Sequence, residues 1–224
     1  MKIVAVIPAY NEETRIEQAI RDAGRFVDVV VVVDDCSLDN TYSEASGTPA
    51  HLLRHILNRG QGAALQTGTD YAVEKCGADI IVHFDADGQM AGDEIPTLTE
   101  LIRNGEADVV LGSRFLGKQA NMPLMRRITL WGGLMFTRII SGVATTDTHN
   151  GFRALSKNAA KKMRITLDRM AHASEILDLL QIHKLRYVER PVTIRYTKGT
   201  LAKGQSSLGA FVIVKDFIEK RLLG

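Results

Sequence analysis

The stretch DVVVVVDD at residues 28–35 is the feature that most constrains the fold of this chain. Five consecutive valines leave no polar face, so the strand that they form must be covered on both sides. IVAVI at 3–7 and ADIIVHF at 78–84 have the same character. Strands of this kind occur in parallel sheets with helices on both faces, which predicts an α/β architecture.

Helical segments separate the strands along the first half of the chain. Helices are expected at 12–25, 61–76 and 94–105, and further strands at 51–56 and 107–115. Asn11 is the expected N-cap of the first helix. This alternation predicts an open, mainly parallel twisted sheet flanked by helices.

The second half of the chain has a different pattern. Helices are expected at 126–143, 157–164 and 172–183, and strands at 151–156 and 186–196. No linker separates the two halves, so we expect one domain over residues 1–207. Residues 208–224 are expected to form a C-terminal amphipathic helix that packs on the same domain, on a second subunit or on a membrane surface.

Two features of the composition indicate the compartment. The chain has two cysteines, Cys36 and Cys76, which are too few for a disulfide framework. The N-terminal run is interrupted too early by Pro8 and by acidic residues to be a signal peptide, and no apolar run approaches the roughly 20 residues that span a bilayer. We therefore expect a cytoplasmic protein.

The net charge of +2 hides an asymmetry between the halves. Residues 1–111 contain 8 Lys and Arg against 19 Asp and Glu, whereas residues 112–224 contain 20 against 7. Such blocks are often only solvated faces. They also suit one surface that holds cations and another that faces phosphates or anionic lipid. Nothing in the pattern predicts a nucleic-acid partner.

Two carboxylates and an amide end the run IIVHFDADGQM at 80–90. Asp85 and Asp87 follow a buried strand, at the sheet edge where α/β proteins bind ligands. Carboxylates placed so close together repel unless a cation joins them, and hard oxygen ligands suit Mg²⁺ or Mn²⁺. Gln89 adds a third oxygen if the segment stays extended. An Asp/Gly turn without a metal is the ordinary alternative.

Polar groups also follow the neighbouring strands. DDCSLDNT at 34–41 ends the second strand, and IPAYNEE ends the first strand beside it. A carboxylate at this edge is suited to accept a bond from a base N–H or a ribose hydroxyl. GQGAAL at 60–65 is a weak match to a dinucleotide-binding loop because it does not follow the first strand. Its glycines are expected to permit close backbone approach to a ligand or a neighbouring strand.

Seven motifs together resemble one family. VIPAYNEE, VVVDDCSLDNT, NRGQGAALQTG, HFDADGQ, GSRF, DTHNGFRAL and ERPVTIRY…GQSS stand in the order found in family 2 glycosyltransferases. Within that family the chain most closely resembles the dolichyl- and polyprenyl-phosphate sugar transferases, the group that includes dolichol-phosphate mannose synthases. The resemblance covers roughly residues 3–207. It implies a GT-A catalytic domain and an inverting transfer from a nucleotide-diphospho-sugar, such as GDP-mannose or a UDP-hexose, to a lipid phosphate.

The resemblance also implies roles for individual residues. The nucleotide pocket would be lined by Pro8, Tyr10, Glu12 and Asp35. Mg²⁺ or Mn²⁺ on the diphosphate would be held by Asp85, Asp87 and Gln89. Phosphate contacts would come from Arg114 and from Arg126 or Arg127; the charge asymmetry adds Lys203, in the basic half, as a residue that would attract the acceptor phosphate. The reacting centre would be faced by Asp147 and Arg153, with Arg114 beside them. The chain departs from the family pattern at Gln61, where Lys is frequent, at THN and at KGQSS.

The acceptor determines which partners are expected. A lipid phosphate would place the protein at the cytoplasmic membrane face, by surface contact or through a membrane partner, and the C-terminal helix would support a homo-oligomer. A phosphate nucleophile needs no strong base, whereas a hydroxyl acceptor would make Asp147 the candidate base. The alternatives are therefore a soluble family 2 transferase that acts on a sugar or protein hydroxyl, and a nucleotide-sugar-binding subunit without turnover.

Overall fold

The computed structural model describes residues 1–116, 145–147, 150–167 and 172–195. Within these ranges seven strands form one sheet. The strands are β1 (Ile3–Ala9), β2 (Val29–Asp34), β3 (His51–Arg54), β4 (Ile80–His83), β5 (Val109–Ser113), β6 (Arg153–Ser156) and β7 (Tyr187–Pro191). Their order across the sheet is β3-β2-β1-β4-β6-β5-β7.

Helices pack on both faces of this sheet. They are α1 (Ile16–Gly24), α2 (Thr41–Ser46), α3 (Gln61–Glu74), α4 (Ile95–Arg103), α5 (Lys157–Lys162) and α6 (His172–Ile182), with a 3₁₀ turn at Gly92–Glu94 before α4. Buried residues of α1, α2 and α4 share one apolar layer with alternate strand residues such as Ile7 and Val82. Residues of α3, α5 and α6 share the opposite layer with Val6 and Ile81. The mainly parallel sheet flanked by helices is confirmed.

One strand runs against the others. β6 is antiparallel to β4 and to β5, whereas the remaining pairs are parallel. The carboxyl ends of the six parallel strands therefore meet at one edge of the sheet, and β6 begins at that same edge. Arg153, the first residue of β6, pairs with His83, the last residue of β4. The reversed strand thus delivers residues of the second half to the edge where the first half places its acidic groups.

The start of the first helix differs from the expectation. α1 begins at Ile16 rather than at residue 12, and Arg15 occupies the N-cap position. Asn11 has a positive φ of 54°, and its side-chain oxygen accepts a hydrogen bond from the Leu38 N–H (2.9 Å). The expectation that Asn11 caps α1 is wrong because its side chain instead fixes the loop after β2. The short helix α2 had no recognised signal in the sequence.

Three expectations fall outside the described residues: the helix at 126–143, the boundary at residue 207 and the C-terminal helix at 208–224. The described helices are all too short or too polar to cross a bilayer.

Candidate active site

Asp85 and Asp87 lie half-buried just past β4, at the common carboxyl edge. Burial, and then the charge of Asp87, raise the pKa of Asp85, while Arg153, Gln61 and Arg114 act in the opposite direction. Burial also raises the pKa of Asp87. Two partly desolvated carboxylates that disfavour each other's charge form a site that a cation would stabilise.

The donor set fits a hard divalent cation that is shared with a substrate. In the described part of the chain, no three His, Cys, Asp or Glu side chains are grouped as a metal centre. A cation bound at Asp85 and Asp87 would have two carboxylate ligands, with its other positions open to an amide oxygen, water or substrate phosphate. Mg²⁺ is commonly bound in this way, through one or two carboxylates and phosphate oxygens.

Gln89 follows a turn rather than an extended segment. Gly88 has a φ of +75°, and the Gln89 N–H donates to Asp87 Oδ1 (3.0 Å). The Gln89 carbonyl accepts a bond from the Arg195 N–H (2.9 Å). The simple alternation assumed for residues 85–89 is therefore wrong, while the role of Gln89 as a metal ligand stays a prediction.

Gln61 and Gly151 hold Asp85 from two sides. Gln61, the first residue of α3, donates its Nε2 hydrogen to Asp85 Oδ1 (2.8 Å). A Cβ atom at Gly151 would lie 2.7 Å from Asp85 Oδ2, so only glycine leaves room for the carboxylate there. The sequence marked Gln61 as a departure from the family pattern, but the contact spans 24 positions and only the folded chain reveals it.

The glycine at position 62 permits a close approach, as expected, although the neighbour is a loop. A Cβ atom at Gly62 would lie 2.2 Å from the Leu167 carbonyl oxygen. Gly60 precedes α3 with a φ of +91°, so the GQG turn lets α3 begin directly beside Asp85.

Asp35 is buried and already bound by its own neighbourhood. Its carboxylate accepts bonds from the Arg59 N–H (3.0 Å) and the Gly60 N–H (2.6 Å) and contacts His55 Nδ1 at 2.7 Å. These contacts fix the turn that leads into α3. A direct contact between Asp35 and a nucleotide stays a prediction.

The other three residues expected in a nucleotide pocket lie near the carboxyl end of β1. Pro8 is buried within β1, and Tyr10, just past its end, is 43% exposed. Glu12 is half-buried, forms an ion pair with Arg15, and its N–H donates to Thr41 Oγ1 (2.7 Å). The structure thus brings Tyr10 and Glu12 to the same edge as Asp85.

Arg114 and Asp147 form a buried, two-pronged ion pair beyond β5. Arg114 Nε donates to Asp147 Oδ2 (2.7 Å), and Nη2 donates to Oδ1 (2.6 Å). The Arg114 N–H also donates to Oδ2 (3.0 Å). The Asp147 side chain is 2% exposed. Asp147 therefore orients the Arg114 guanidinium, while a contact between Arg114 and a phosphate stays a prediction.

Arg153 is buried near Asp85 and Asp147. It is 3% exposed, and burial lowers its pKa to about 10, while the charges of Asp85 and Asp147 act to raise it. Arg153 is therefore still a cation at neutral pH, and its positive charge offsets the negative charges of Asp85 and Asp147. Arg126, Arg127 and Lys203 lie outside the described residues, so their roles stay predictions.

The fold defines a class of protein. The crystal structure of glucosyl-3-phosphoglycerate synthase from Mycobacterium tuberculosis, in complex with Mn²⁺ and UDP-glucose, superposes with a TM-score of 0.70 at 19% identity. The match covers 99% of this chain and 78% of the synthase. The chain therefore has the GT-A fold of nucleotide-sugar transferases.

Sequence comparison then identifies the family. The model of glycosyl transferase family 2 matches residues 4–164. The chain belongs to this family and is a glycosyltransferase, as the sequence motifs predicted. It is similar to the UDP-N-acetylglucosamine–dolichyl-phosphate N-acetylglucosaminyltransferase of Methanococcus voltae, with 33% identity across 94% of this chain and 92% of the relative. It is also similar to the undecaprenyl-phosphate mannosyltransferase of Micrococcus luteus, with 32% identity across 86% of this chain and 83% of the relative.

Proposed function

We propose that this enzyme transfers a sugar from a nucleotide-diphospho-sugar to a polyprenyl phosphate. The observation that carries the proposal is that the two relatives are named for different sugars but for the same kind of acceptor. Both align over more than four fifths of this chain. The acceptor class is thus better supported than the donor, for which GDP-mannose and UDP-hexoses are the candidates.

In the proposed reaction, an oxygen of the acceptor phosphate attacks C1 of the sugar. The bond from C1 to the diphosphate breaks, the nucleoside diphosphate leaves with the electron pair, and the configuration at C1 inverts. The acceptor phosphate is already ionised at neutral pH, so the reaction needs no strong base. The arrangement of Asp147 supports this scheme, because its carboxylate is bound to Arg114 and serves to orient it.

Arg114 is proposed to stabilise the negative charge that develops on a phosphate. Arg153 is proposed to offset the negative charge of the nearby carboxylates. Fixed cations aimed at developing charge are usually the largest catalytic contribution. Asp85, Asp87 and Gln89 would hold Mg²⁺ or Mn²⁺ at the donor diphosphate. When bound, the cation would supply further neutralisation of the leaving group.

A polyprenyl phosphate is embedded in a bilayer, so the proposal places the enzyme at the cytoplasmic membrane surface. The basic second half of the chain supports this placement through its 20 Lys and Arg against 7 Asp and Glu. Contact could be direct, through a second subunit or through a membrane partner.

The proposal is tested by transfer assays. Radiolabelled GDP-mannose, UDP-glucose and UDP-N-acetylglucosamine are each incubated with the enzyme, Mn²⁺ or Mg²⁺, and a polyprenyl phosphate in detergent, and lipid-extracted label is counted. Label in the lipid fraction with one donor, lost on hydrolysis in mild acid, supports the proposal. Label that passes only to a soluble sugar or peptide acceptor contradicts it.

Replacing Asp87 with asparagine tests the metal site. Asp87→Asn keeps the shape of the side chain but removes one of two anionic ligands, so Mn²⁺ together with UDP or GDP should no longer raise the melting temperature. Asp93→Asn, beyond the same turn, is the control and should keep the shift. An Asp87→Asn protein that retains the full metal-dependent shift would place the cation elsewhere.

A further inference from the structure

One carboxylate outside the expected site holds the segment that carries Asp147. The Thr146 N–H donates to Glu189 Oε1 (2.8 Å) and Oε2 (3.0 Å), and the Thr146 hydroxyl donates to Oε1 (3.0 Å). The Asp147 N–H also donates to Oε1 (3.3 Å). An ionised carboxylate is suited to this task because both of its oxygens only accept hydrogen bonds.

The position of Glu189 is fixed by the sheet. Glu189 lies in β7 and pairs in register with Leu111 of β5, two residues before Ser113. The Ser113 hydroxyl, in turn, lies 2.6 Å from the Thr146 hydroxyl. Residues 146 and 147 are thus attached to two adjacent strands, and among the described residues the Glu189 side chain makes the attachment from β7.

The contacts continue from Asp147 to Arg114. Asp147 receives three hydrogen bonds from Arg114, two of them from the guanidinium group. A displacement of the Asp147 backbone would therefore move the guanidinium with it. The bonds of Glu189 go to residues 146 and 147, so its influence on the guanidinium passes through Asp147.

We infer that Glu189 is a positioning residue for sugar transfer: it sets the place of the Asp147–Arg114 pair from the edge of the sheet. The inference rests on the proposed function for the part that Arg114 plays at a phosphate. Displacements of about 1 Å at a reacting centre can cost about 100-fold in rate. Glu189→Gln places an amide NH₂ group against backbone N–H donors, and we expect it to lower kcat/KM by about 10- to 100-fold.

The chain offers a matched control. Asp108, just before β5, holds Arg186, just before β7, at the opposite edge of the same two strands, with bonds from the Arg186 N–H (3.0 Å), Nε (3.1 Å) and Nη2 (3.1 Å). Asp108→Asn should therefore destabilise the sheet but leave kcat/KM within about twofold of the wild-type value. An equal loss of kcat/KM in Asp108→Asn and Glu189→Gln would show a general effect on folding and would overturn the inference.

A double-mutant cycle with Arg114→Lys separates positioning from other roles. If Glu189 acts through the guanidinium, Glu189→Gln should add less than about a twofold loss once Arg114 is lysine. Two readouts are used: kcat/KM for transfer to polyprenyl phosphate, and the Kd of UDP or GDP with Mn²⁺ from calorimetry, which needs no acceptor. Coupling in either readout supports the inference, and full additivity in both overturns it.

The two proposals fail in different ways. A wild-type enzyme that never labels polyprenyl phosphate contradicts the proposed acceptor, while the nucleotide-binding cycle still tests Glu189. If Glu189→Gln does not fold, Thr146→Val carries the test, because it removes the hydroxyl contacts to Glu189 and Ser113 and keeps the backbone bonds. We expect a smaller loss of kcat/KM that is likewise coupled to Arg114. A Thr146→Val enzyme with wild-type kinetics would overturn the inference.

Discussion

At the scale of single residues, the site depends on neutral groups that hold charged ones in place. Asp85 receives a hydrogen bond from Gln61 and has Gly151 against its other oxygen. Neither neighbour carries charge, so the charge balance around Asp85 is left to Asp87, Arg153 and Arg114. Groups that orient a metal ligand in this way commonly change metal affinity by about 10- to 100-fold when they are removed.

We predict that Gln61→Met weakens Mn²⁺ binding by about 10-fold, because methionine keeps the size of the side chain but loses the bond to Asp85. Titration of Mn²⁺ in the presence of UDP or GDP, followed by electron paramagnetic resonance, measures the affinity. Gln66→Met is the control on the same helix, since Gln66 Nε2 makes an equivalent bond to Asp70 Oδ1 (2.9 Å) away from the site. Equal Mn²⁺ affinity in wild type and Gln61→Met would contradict the assignment of Asp85 as a ligand oriented by Gln61.

A second residue-scale prediction concerns pH. Burial lowers the pKa of His83 from 6.5 to about 3, with smaller effects from the charges of Arg153 and His172. Between these two values the unfolded chain binds a proton that the folded chain does not. This group therefore makes the protein less stable as the pH falls from 6.5 towards 3, by up to about 1.4 kcal/mol per pH unit.

Denaturant unfolding of wild type and His83→Gln between about pH 4 and 7 measures this contribution. The difference in unfolding free energy between the two proteins should shift in favour of the variant as the pH falls. His51→Gln, which alters an exposed histidine of β3, is the control for the loss of a histidine outside the core. Parallel curves for wild type and His83→Gln would show that His83 takes up a proton in the folded state.

At the scale of elements, α3 approaches the sheet so closely that no side chain fits at position 68. A Cβ atom at Gly68 would lie 2.3 Å from Val6 Cγ1 and 3.1 Å from Val33 Cγ2. Because Val6 and Val33 are fully buried, neither can move aside without disturbing β1 or β2. The spacing between α3 and the sheet thus depends on Gly68. Because Gln61 begins α3, this spacing also affects the distance from Gln61 to Asp85.

We predict that Gly68→Ala destabilises the protein by about 1–3 kcal/mol through overpacking. Gly24→Ala, at the end of α1, is the matched control: its nearest contact would be 3.7 Å away, and alanine favours a helix by up to about 1 kcal/mol. Chemical denaturation of the three proteins gives the comparison. A Gly68→Ala protein as stable as Gly24→Ala would mean that α3 shifts outward at no cost.

Elements were predicted well from the sequence wherever burial on both faces left a continuous apolar run. β1, β2, β4 and β5 carry such runs, and each lies within two residues of its expected position. Contacts between distant positions were not predicted. The local sequence predicts Asn11 as a helix cap, but its side chain accepts a hydrogen bond from the distant Leu38 N–H. The hydrogen bond between Thr146 and Glu189 spans 43 positions. The direction of β6 is likewise a property of the assembled sheet, because residues 151–156 would have the same pattern in either direction.

At the scale of the whole molecule, the charge asymmetry along the chain becomes a charge balance in space. Asp85 and Asp87 come from the acidic half, whereas Arg114, Asp147 and Arg153 come from the basic half, and all five lie at one edge of the sheet. The polar groups after β1, β2 and β4 could be predicted to share one edge because the carboxyl ends of parallel strands converge, whereas Arg114, Asp147 and Arg153 were expected from the resemblance to family 2 glycosyltransferases. The contacts of these residues could not be predicted, because they depend on which oxygen each donor reaches.

Because β6 runs antiparallel to β4, the charge balance at this edge depends on the register in which the two strands pair. Side chains alternate between the two faces of a strand, so a slip of one residue against β4 would turn Arg153 into the layer beneath α1 and α4. Asp85 would then lose the nearby charge of Arg153, and a buried guanidinium would face aliphatic side chains. A mispaired sheet would therefore be destabilised electrostatically at its carboxyl edge, so the charges of the candidate site favour the correct register of β4 and β6.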